Sequence, residues 1–262
     1  MNDLIQLHNH LYRIVQSEYS NCVIGTAKSS IHDLRVAIRR LDTYYTFLSS
    51  ILNKEASLKL AYNQRIIQSY LSELSALRDI QVIQVHLSSL TAQTDSDLRS
   101  AVESTLAVEK KKAAKRLSKW AVGLVFKDNS QLILSLNLSS EELYTMCAHH
   151  QMKLARSVLK ALHTDSNYHK TRLALKHLRY FLEQVETLFA QTHFDTTALS
   201  SYQDLLGMHQ DYRVLLRFLR RQAEYPGLVT HLELMLHSLD LSIKASEKDL
   251  TLLVHSCGYE TR

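Results

Sequence analysis

IHDLRVAIRRLDTYYTFLSS, residues 31–50, decides how this chain is read. Leu34, Ile38, Leu41, Tyr45 and Leu48 recur at intervals of three or four, the seam of a single amphipathic helix. On a wheel turning 100° per residue, Arg35 and Arg39 fall within roughly 60° of His32, and Arg40 lies roughly 80° to the other side. Charged residues this close normally alternate in sign so that neighbours support each other. Here a histidine and three arginines crowd together with Asp33 as their only nearby carboxylate until Asp42.

The same design recurs. A shift of 137 residues lays YHKTRLALKHLRYFLEQVET (168–187) over the first stretch, so that His32 meets His169, Arg35 meets Arg172 and Arg39 meets Lys176. The apolar seam follows, with Leu175, Leu178, Leu182 and Val185 on Ile38, Leu41, Tyr45 and Leu48. Downstream, a shift of 132 lays YQDLLGMHQD (202–211) over YLSELSALRD (70–79), and both segments close on an aspartate, Asp79 and Asp211. Two matches in the same order, at nearly the same shift, read as an internal duplication.

Five glycines and one proline among 262 residues are too few for the turns of a strand-rich chain. We therefore expect an all-α fold: two pseudo-two-fold-related four-helix bundles, residues 1–130 and 137–262, within a single domain spanning 1–262. Helical stretches are expected near 2–20, 27–52, 56–90 and 95–121, then near 139–163, 166–190, 195–222 and 227–254. The third stretch of each half should break, near Ala76–Asp79 and near Gly207–Asp211, with Asp79 and Asp211 capping the helix that follows. Residues 122–140, with a glycine, an Asp-Asn-Ser cluster and a Ser-Ser-Glu-Glu helix start, form the best linker, and Pro226-Gly227 marks the turn before the last helix.

Composition narrows the classes. Hydrophobic residues make up 45% of the chain, enough for a sizeable core, yet the apolar runs are too short for a membrane span. The opening MNDLIQLHNHLYRIVQSE lacks the basic start and apolar stretch of a secretory signal. Cys22, Cys147 and Cys257 are odd in number and widely spaced, and read as filler positions in a reduced, cytoplasmic setting. A formal charge of +5 is mild and points to an anionic partner only where the cations cluster.

They cluster on four helices. In the second half His169, Arg172, Lys176 and Arg179 span roughly 80° of arc. His149, Lys153, Arg156 and Lys160 form nearly a straight line along another helix, and Lys112, Lys115, Arg116 and Lys119 repeat the habit near residues 110–120. That last group, next to Glu109, reads most simply as a solvated face. For the 32–40 and 169–179 groups, like charges four apart cost a few tenths of a kcal/mol each without structural return, which points to an anion site. A local two-fold would turn both faces toward one positive trough. Arginine suits it because its planar fork holds two phosphate oxygens at once, lysine adds a mobile point charge, and histidine adds charge as pH falls.

Other chemistries find less support. The arginines beside His32 and His169 would repel a divalent cation, and no carboxylate cluster offsets them. HNH at 8–10 and HH at 149–150 lack zinc-site spacing, and no glycine-rich phosphate loop or Ser-His-Asp arrangement occurs. We expect no cofactor, no metal and no catalysis, although a phospho-accepting histidine and an inert helical scaffold both stay open. Single-stranded nucleic acid would need aromatic platforms among the cations; Tyr44 lies roughly 120° from His32 and Tyr45 belongs to the core seam.

These segments resemble the CHAD domain, the conserved histidine α-helical domain. The resemblance rests on His32-x2-Arg35-x3-Arg39-Arg40 and His169-x2-Arg172-x3-Lys176-x2-Arg179-Tyr180, with Glu183 in the place the family uses. Leu-Arg-Asp-Ile-Gln-Val (77–82) and Leu-Gly-Met-His-Gln-Asp (206–211) resemble its other recurring segments, so the likeness covers nearly the whole chain. It implies two four-helix bundles around a basic central channel that binds inorganic polyphosphate, at polyphosphate granules, without membrane attachment. Family members are often fused or adjacent to a triphosphate-processing CYTH domain, whose acidic strands are not seen here, so the chain reads as a stand-alone member. The implied polyphosphate ligands are His32, Arg35, Arg39 and Arg40, with His169, Arg172, Lys176 and Arg179 in the second half. Arg78 joins them from the downstream segment, with Arg213 as the second half's substitute for it, and the basic faces read above add Lys112, Arg116, Lys119, Lys153 and Arg156 as candidates. Two positions depart from the pattern: Asp42 stands opposite Arg179, where it either weakens the first helix's hold on phosphate or pairs with an arginine, and Gln210 stands opposite Arg78.

Overall fold

The computed structural model describes residues 2–24, 28–90, 96–121, 129–163, 168–190, 192, 194, 196–221 and 225–259. Most of them are helical, joined by short turns and irregular segments, with no strand among them. Helices α1 (Asn2–Ile24), α2 (Lys28–Ile51), α3 (Lys54–Glu73), α4 (Ser75–Leu90) and α5 (Ser96–Ala121) form the first half. A short α6 (Ser130–Leu134) precedes α7 (Ser140–Leu162), α8 (Tyr168–Leu188), α9 (Thr197–Leu219) and α10 (Pro226–Tyr259). No helix of the described residues is long and apolar enough to cross a membrane.

Local chemistry starts several of these helices. The Asn53 side chain accepts from the Ala56 N–H at 2.9 Å and caps α3. The Ser139 hydroxyl accepts from the Glu142 N–H while the Glu142 carboxylate accepts from the Ser139 N–H at 2.8 Å, a reciprocal box opening α7. Pro226 opens α10 at the position where its missing N–H costs nothing.

The α2 seam packs as its spacing demands. Leu34, Ile38, Leu41, Tyr45 and Leu48 are all buried, as are their counterparts Leu175, Leu178, Leu182 and Val185 on α8. The neighbouring Tyr44 donates to the Leu4 carbonyl at 2.8 Å, and the Tyr45 hydroxyl meets His8 Nε2 at 3.1 Å and Asn63 Nδ2 at 3.3 Å. Both tyrosines thus bury their rings and satisfy their hydroxyls inside the core.

Helices α1, α2 and α3 pack in sequence, α7 and α8 pair, and α10 packs on both α7 and α9. The halves meet along α2–α8 and α4–α9. A smaller core joins them: Ile83 and Leu87 of α4 and Leu98 and Val102 of α5 pack with Leu215 and Leu219 of α9 and Leu232 of α10. The hydrophobic interior therefore does not divide where the sequence divides.

Two expectations about the broken stretches need correction. The first break falls at Leu74, before Ala76–Asp79, where the Ser75 hydroxyl donates to the Leu71 carbonyl at 2.8 Å. The second does not occur, because α9 runs through Gly207–Asp211. Asp79 and Asp211 therefore sit inside α4 and α9 and cap nothing.

Gly207, the counterpart of Ser75, marks a close approach and not a turn. The Arg172 guanidinium lies over it, and a Cβ built there would meet Arg172 Nε at 3.7 Å, an ordinary contact. Helix interiors prefer alanine to glycine by roughly 0.5–1 kcal/mol. Gly207→Ala should accordingly raise the thermal midpoint slightly; a fall would show that the guanidinium needs the bare backbone.

Candidate functional site

The α2–α8 and α4–α9 contacts leave a cavity of about 470 Å³ between the halves. Seven basic side chains line it: His32, Arg35 and Arg39 from α2, Arg78 from α4, and His169, Arg172 and Lys176 from α8. Among the described residues two carboxylates join them, Asp79 and Asp211. The residues paired by the sequence repeat thus face one space. His32 and His169 stand exposed, whereas Arg35, Arg39, Arg172 and Lys176 are half-buried one and two turns further along their helices.

Each matched arginine rests on the third helical stretch of its own half. Arg35 Nη1 donates to the Leu71 carbonyl at 2.7 Å, in the last turn of α3 where carbonyls run out of helical donors. Arg172 lies against α9 at Gly207, and its buried Nε has no hydrogen-bond partner. These supports fix the guanidinium stems and leave much of their donor capacity toward the cavity.

Crowded like charges perturb the site. Burial, then Arg39 and the other nearby guanidiniums, pushes Arg35 down to about 10, where it is still charged at neutral pH. Lys176 is driven to about 7, first by burial and then by Arg172, Arg39, Arg179 and Arg35. His32 and His169, exposed as whole residues but with their rings partly desolvated at the cavity, are both lowered, first by that desolvation and next by Arg78 for the first and Arg172 for the second. Among the described residues no carboxylate lies within ion-pair distance of the Lys176 ammonium. Basic groups thus outnumber carboxylates in the described lining, and after burial their mutual repulsion is what depresses Lys176.

The remaining candidates lie elsewhere. Arg40 Nη2 meets Glu183 Oε2 at 2.9 Å and Arg179 Nε meets Glu183 Oε1 at 3.7 Å, with Tyr180 at 5.6 and 5.1 Å from the two guanidinium carbons. Neither arginine lines the cavity, and the cluster ties α2 to α8. Glu183→Gln should lower stability by about 1 kcal/mol, as a shift in denaturation midpoint at unchanged slope. Lys153 and Arg156 flank a separate open groove on α7 with His149 and Lys160. Lys112 is exposed on α5 and paired with Glu109 at 2.6 Å; the side chains of Arg116 and Lys119 lie outside the described residues. Arg213 is exposed on α9 and acts on His169 without lining the cavity.

Asp42 pairs with no arginine; its buried carboxylate accepts from Gln68 Nε2 at 2.9 Å, and burial raises its pKa. Two acidic residues of the site escaped the sequence reading. Asp79 and Asp211, read as caps, line the cavity, and Asp211 Oδ2 lies 3.6 Å from His86 Nε2 of α4. Burial raises the pKa of Asp79, and Arg217, one turn beyond Arg213 and outside the cavity lining, opposes that rise more than any other charge. The signal for the aspartates was their match across the repeat.

Most other histidines near the core are structural. His150 is wedged between Phe47 and Phe181 and driven to about 4, chiefly by burial; His177 bonds Thr43 across α2–α8. No group of three or more potential metal ligands occurs among the described residues.

The comparisons with known proteins agree with this architecture. The chain is similar over 97% of its length to the crystal structure of the CHAD domain from the plant Ricinus communis, at 18% identity and a TM-score of 0.64, covering 91% of that chain. No protein with a curated description matches it. The model of the CHAD domain matches residues 6–220, which takes in α1 through α9 and every residue lining the cavity, and the chain belongs to the CHAD domain family.

Proposed function

We propose that this protein binds inorganic polyphosphate, without catalysing its turnover, in the cavity between α2, α4, α8 and α9. The observation that carries the reading is the convergence of seven cationic or titratable basic groups on one cavity with two carboxylates among its lining. A linear polyanion offers identical charged units and nothing else to recognise, so guanidiniums at helical spacing suffice. We further propose that the halves are duplicated four-helix units, which explains why paired residues meet in the middle, and that the protein works in the cytoplasm, at polyphosphate granules where these form.

Nucleic acid is served less well. Tyr180 is the one aromatic residue among the described lining, and its buried ring already carries Arg40 and Arg179. Base stacking finds no free platform there. Long-chain polyphosphate should therefore displace RNA far more readily than RNA displaces polyphosphate.

Counterion release sets the salt dependence. Affinity for a defined-length polyphosphate should fall roughly a hundredfold between 50 and 200 mM salt if five phosphates are neutralised. An affinity indifferent to salt rejects the reading. Because Arg40 and Arg179 lie outside the cavity, Glu183→Gln should change that affinity by less than about threefold, within the context-dependence of a surface pair.

A further inference from the structure

We propose that Lys176 is a modification site, acylated by acyl phosphates that the cavity itself captures, and that this modification lowers its hold on polyanions. The inference rests on the reading of the cavity as an anion site and adds a chemistry to it. Lys176 is the one lysine among the described lining residues. It lies one turn from Arg172 on α8 and across from Arg35 and Arg39 on α2, with the carboxylates of Asp79 and Asp211 in the same lining and none within ion-pair distance of its ammonium.

An acyl phosphate joins a phosphoryl group, which guanidiniums bind, to an electrophilic carbonyl one bond away. Seated on the arginines, it brings that carbonyl to the amine beside them, replacing a bimolecular encounter by a positioned one. The Lys176 Nζ lone pair attacks the carbonyl carbon, the bond from that carbon to the bridging oxygen breaks, and inorganic phosphate departs with that oxygen onto the guanidiniums. A new amide forms, the nitrogen releases its proton to solvent, and no oxidant or reductant is needed. Arginine cannot form this stable product, and acyl-imidazoles at His32 or His169 would hydrolyse.

Lys176 also has the amine available. In the empty cavity, with its pKa driven to about 7, its free-amine share near neutral pH exceeds that of an ordinary exposed lysine by about a thousandfold; the charge of the seated acyl phosphate and the lower basicity each return a part of that. Acylation removes the charge and fills space in the cavity that Arg35 and Arg172 also line, so polyanion affinity should drop.

The test uses the full-length wild-type protein with acetyl phosphate as probe, at neutral pH, with and without long-chain polyphosphate. Acetylated sites are mapped by peptide mass spectrometry over time, and polyphosphate binding is measured separately. Lys176 should be acetylated at least about tenfold faster than exposed lysines such as Lys244 and Lys248, and polyphosphate should suppress that rate about tenfold. If polyphosphate binds but Lys176 reacts no faster than they do, the modification proposal is overturned and the binding reading stands. If Lys176 leads while polyphosphate neither binds nor protects, the binding reading falls and the acylation site stands. Bound polyphosphate that leaves the Lys176 rate unchanged overturns the proposal that capture and reaction share one site.

Discussion

Charge reversal at both matched arginines, Arg35→Glu with Arg172→Glu, should abolish retention of the protein on immobilised polyphosphate. Hydrogen bonds to charged partners are worth about 1.5–3 kcal/mol each, so losing two and installing two repelling carboxylates should weaken binding by about a thousandfold or more. The effect is large because the two side chains stand on helices that pack directly together and act on one ligand. Arg35 also donates to the Leu71 carbonyl, so the variant is first checked for its thermal transition. Arg35→Gln with Arg172→Gln keeps donors and approximate length and should show an intermediate loss. A folded double charge-reversal variant that binds like wild type contradicts the account.

The second large effect is a pH dependence centred on Lys176. In the empty cavity this amine is driven to about 7 from an ordinary value of 10.5. A bound polyanion adds negative charge beyond that of Asp79 and Asp211 and raises Lys176, His32 and His169 together, so binding takes up protons. Affinity should rise as pH falls from 8 to 6, by up to about tenfold per unit for each proton absorbed. Calorimetry in buffers of different ionisation enthalpy reads that uptake directly. Heats that do not depend on the buffer would remove the coupling.

The same shift carries a stability cost with a definite sign. A base whose folded pKa lies below its unfolded one destabilises the folded state fully below the folded value, here about 7. That penalty declines as pH rises from there toward 10.5, because over that window the unfolded chain binds more protons. Lys176→Met should therefore raise the thermal midpoint at pH 7 by about 3 °C or more, roughly 1 kcal/mol, and flatten this window while weakening polyphosphate binding. Stability that drops at pH 7, with binding intact, would place Lys176 in the scaffold.

Spacing alone carried much of the architecture. The three-and-four seam of α2 and its copy in α8 identified the buried faces, since a long helix must hide an apolar stripe whatever it packs against. The repeat pointed to His32, Arg35, Arg39, His169, Arg172 and Lys176, because matched cations on matched faces converge wherever matched helices pack together. Reading failed where one residue type serves two purposes. Gly207 looked like a break, yet a glycine inside a helix can equally admit a neighbour, and only the course of Arg172 shows which. Asp79 and Asp211 looked like caps because aspartate caps helices, and their place depended on where the break fell. The Glu183 cluster, which withdraws Arg40 and Arg179 from the cavity, is a contact between α2 and α8 that no single-helix wheel contains.

Arginine footprinting addresses the central claim most directly, because it asks the unmodified protein which guanidiniums the polyanion covers. Labelling with a dicarbonyl reagent, with and without long-chain polyphosphate and mapped by mass spectrometry, should show protection of Arg35, Arg39, Arg78 and Arg172. Arg13, Arg65 and Arg220, exposed elsewhere, should react equally in both conditions. Protection spread evenly over all arginines, or confined to Arg156 on α7, would contradict binding in the cavity between the halves.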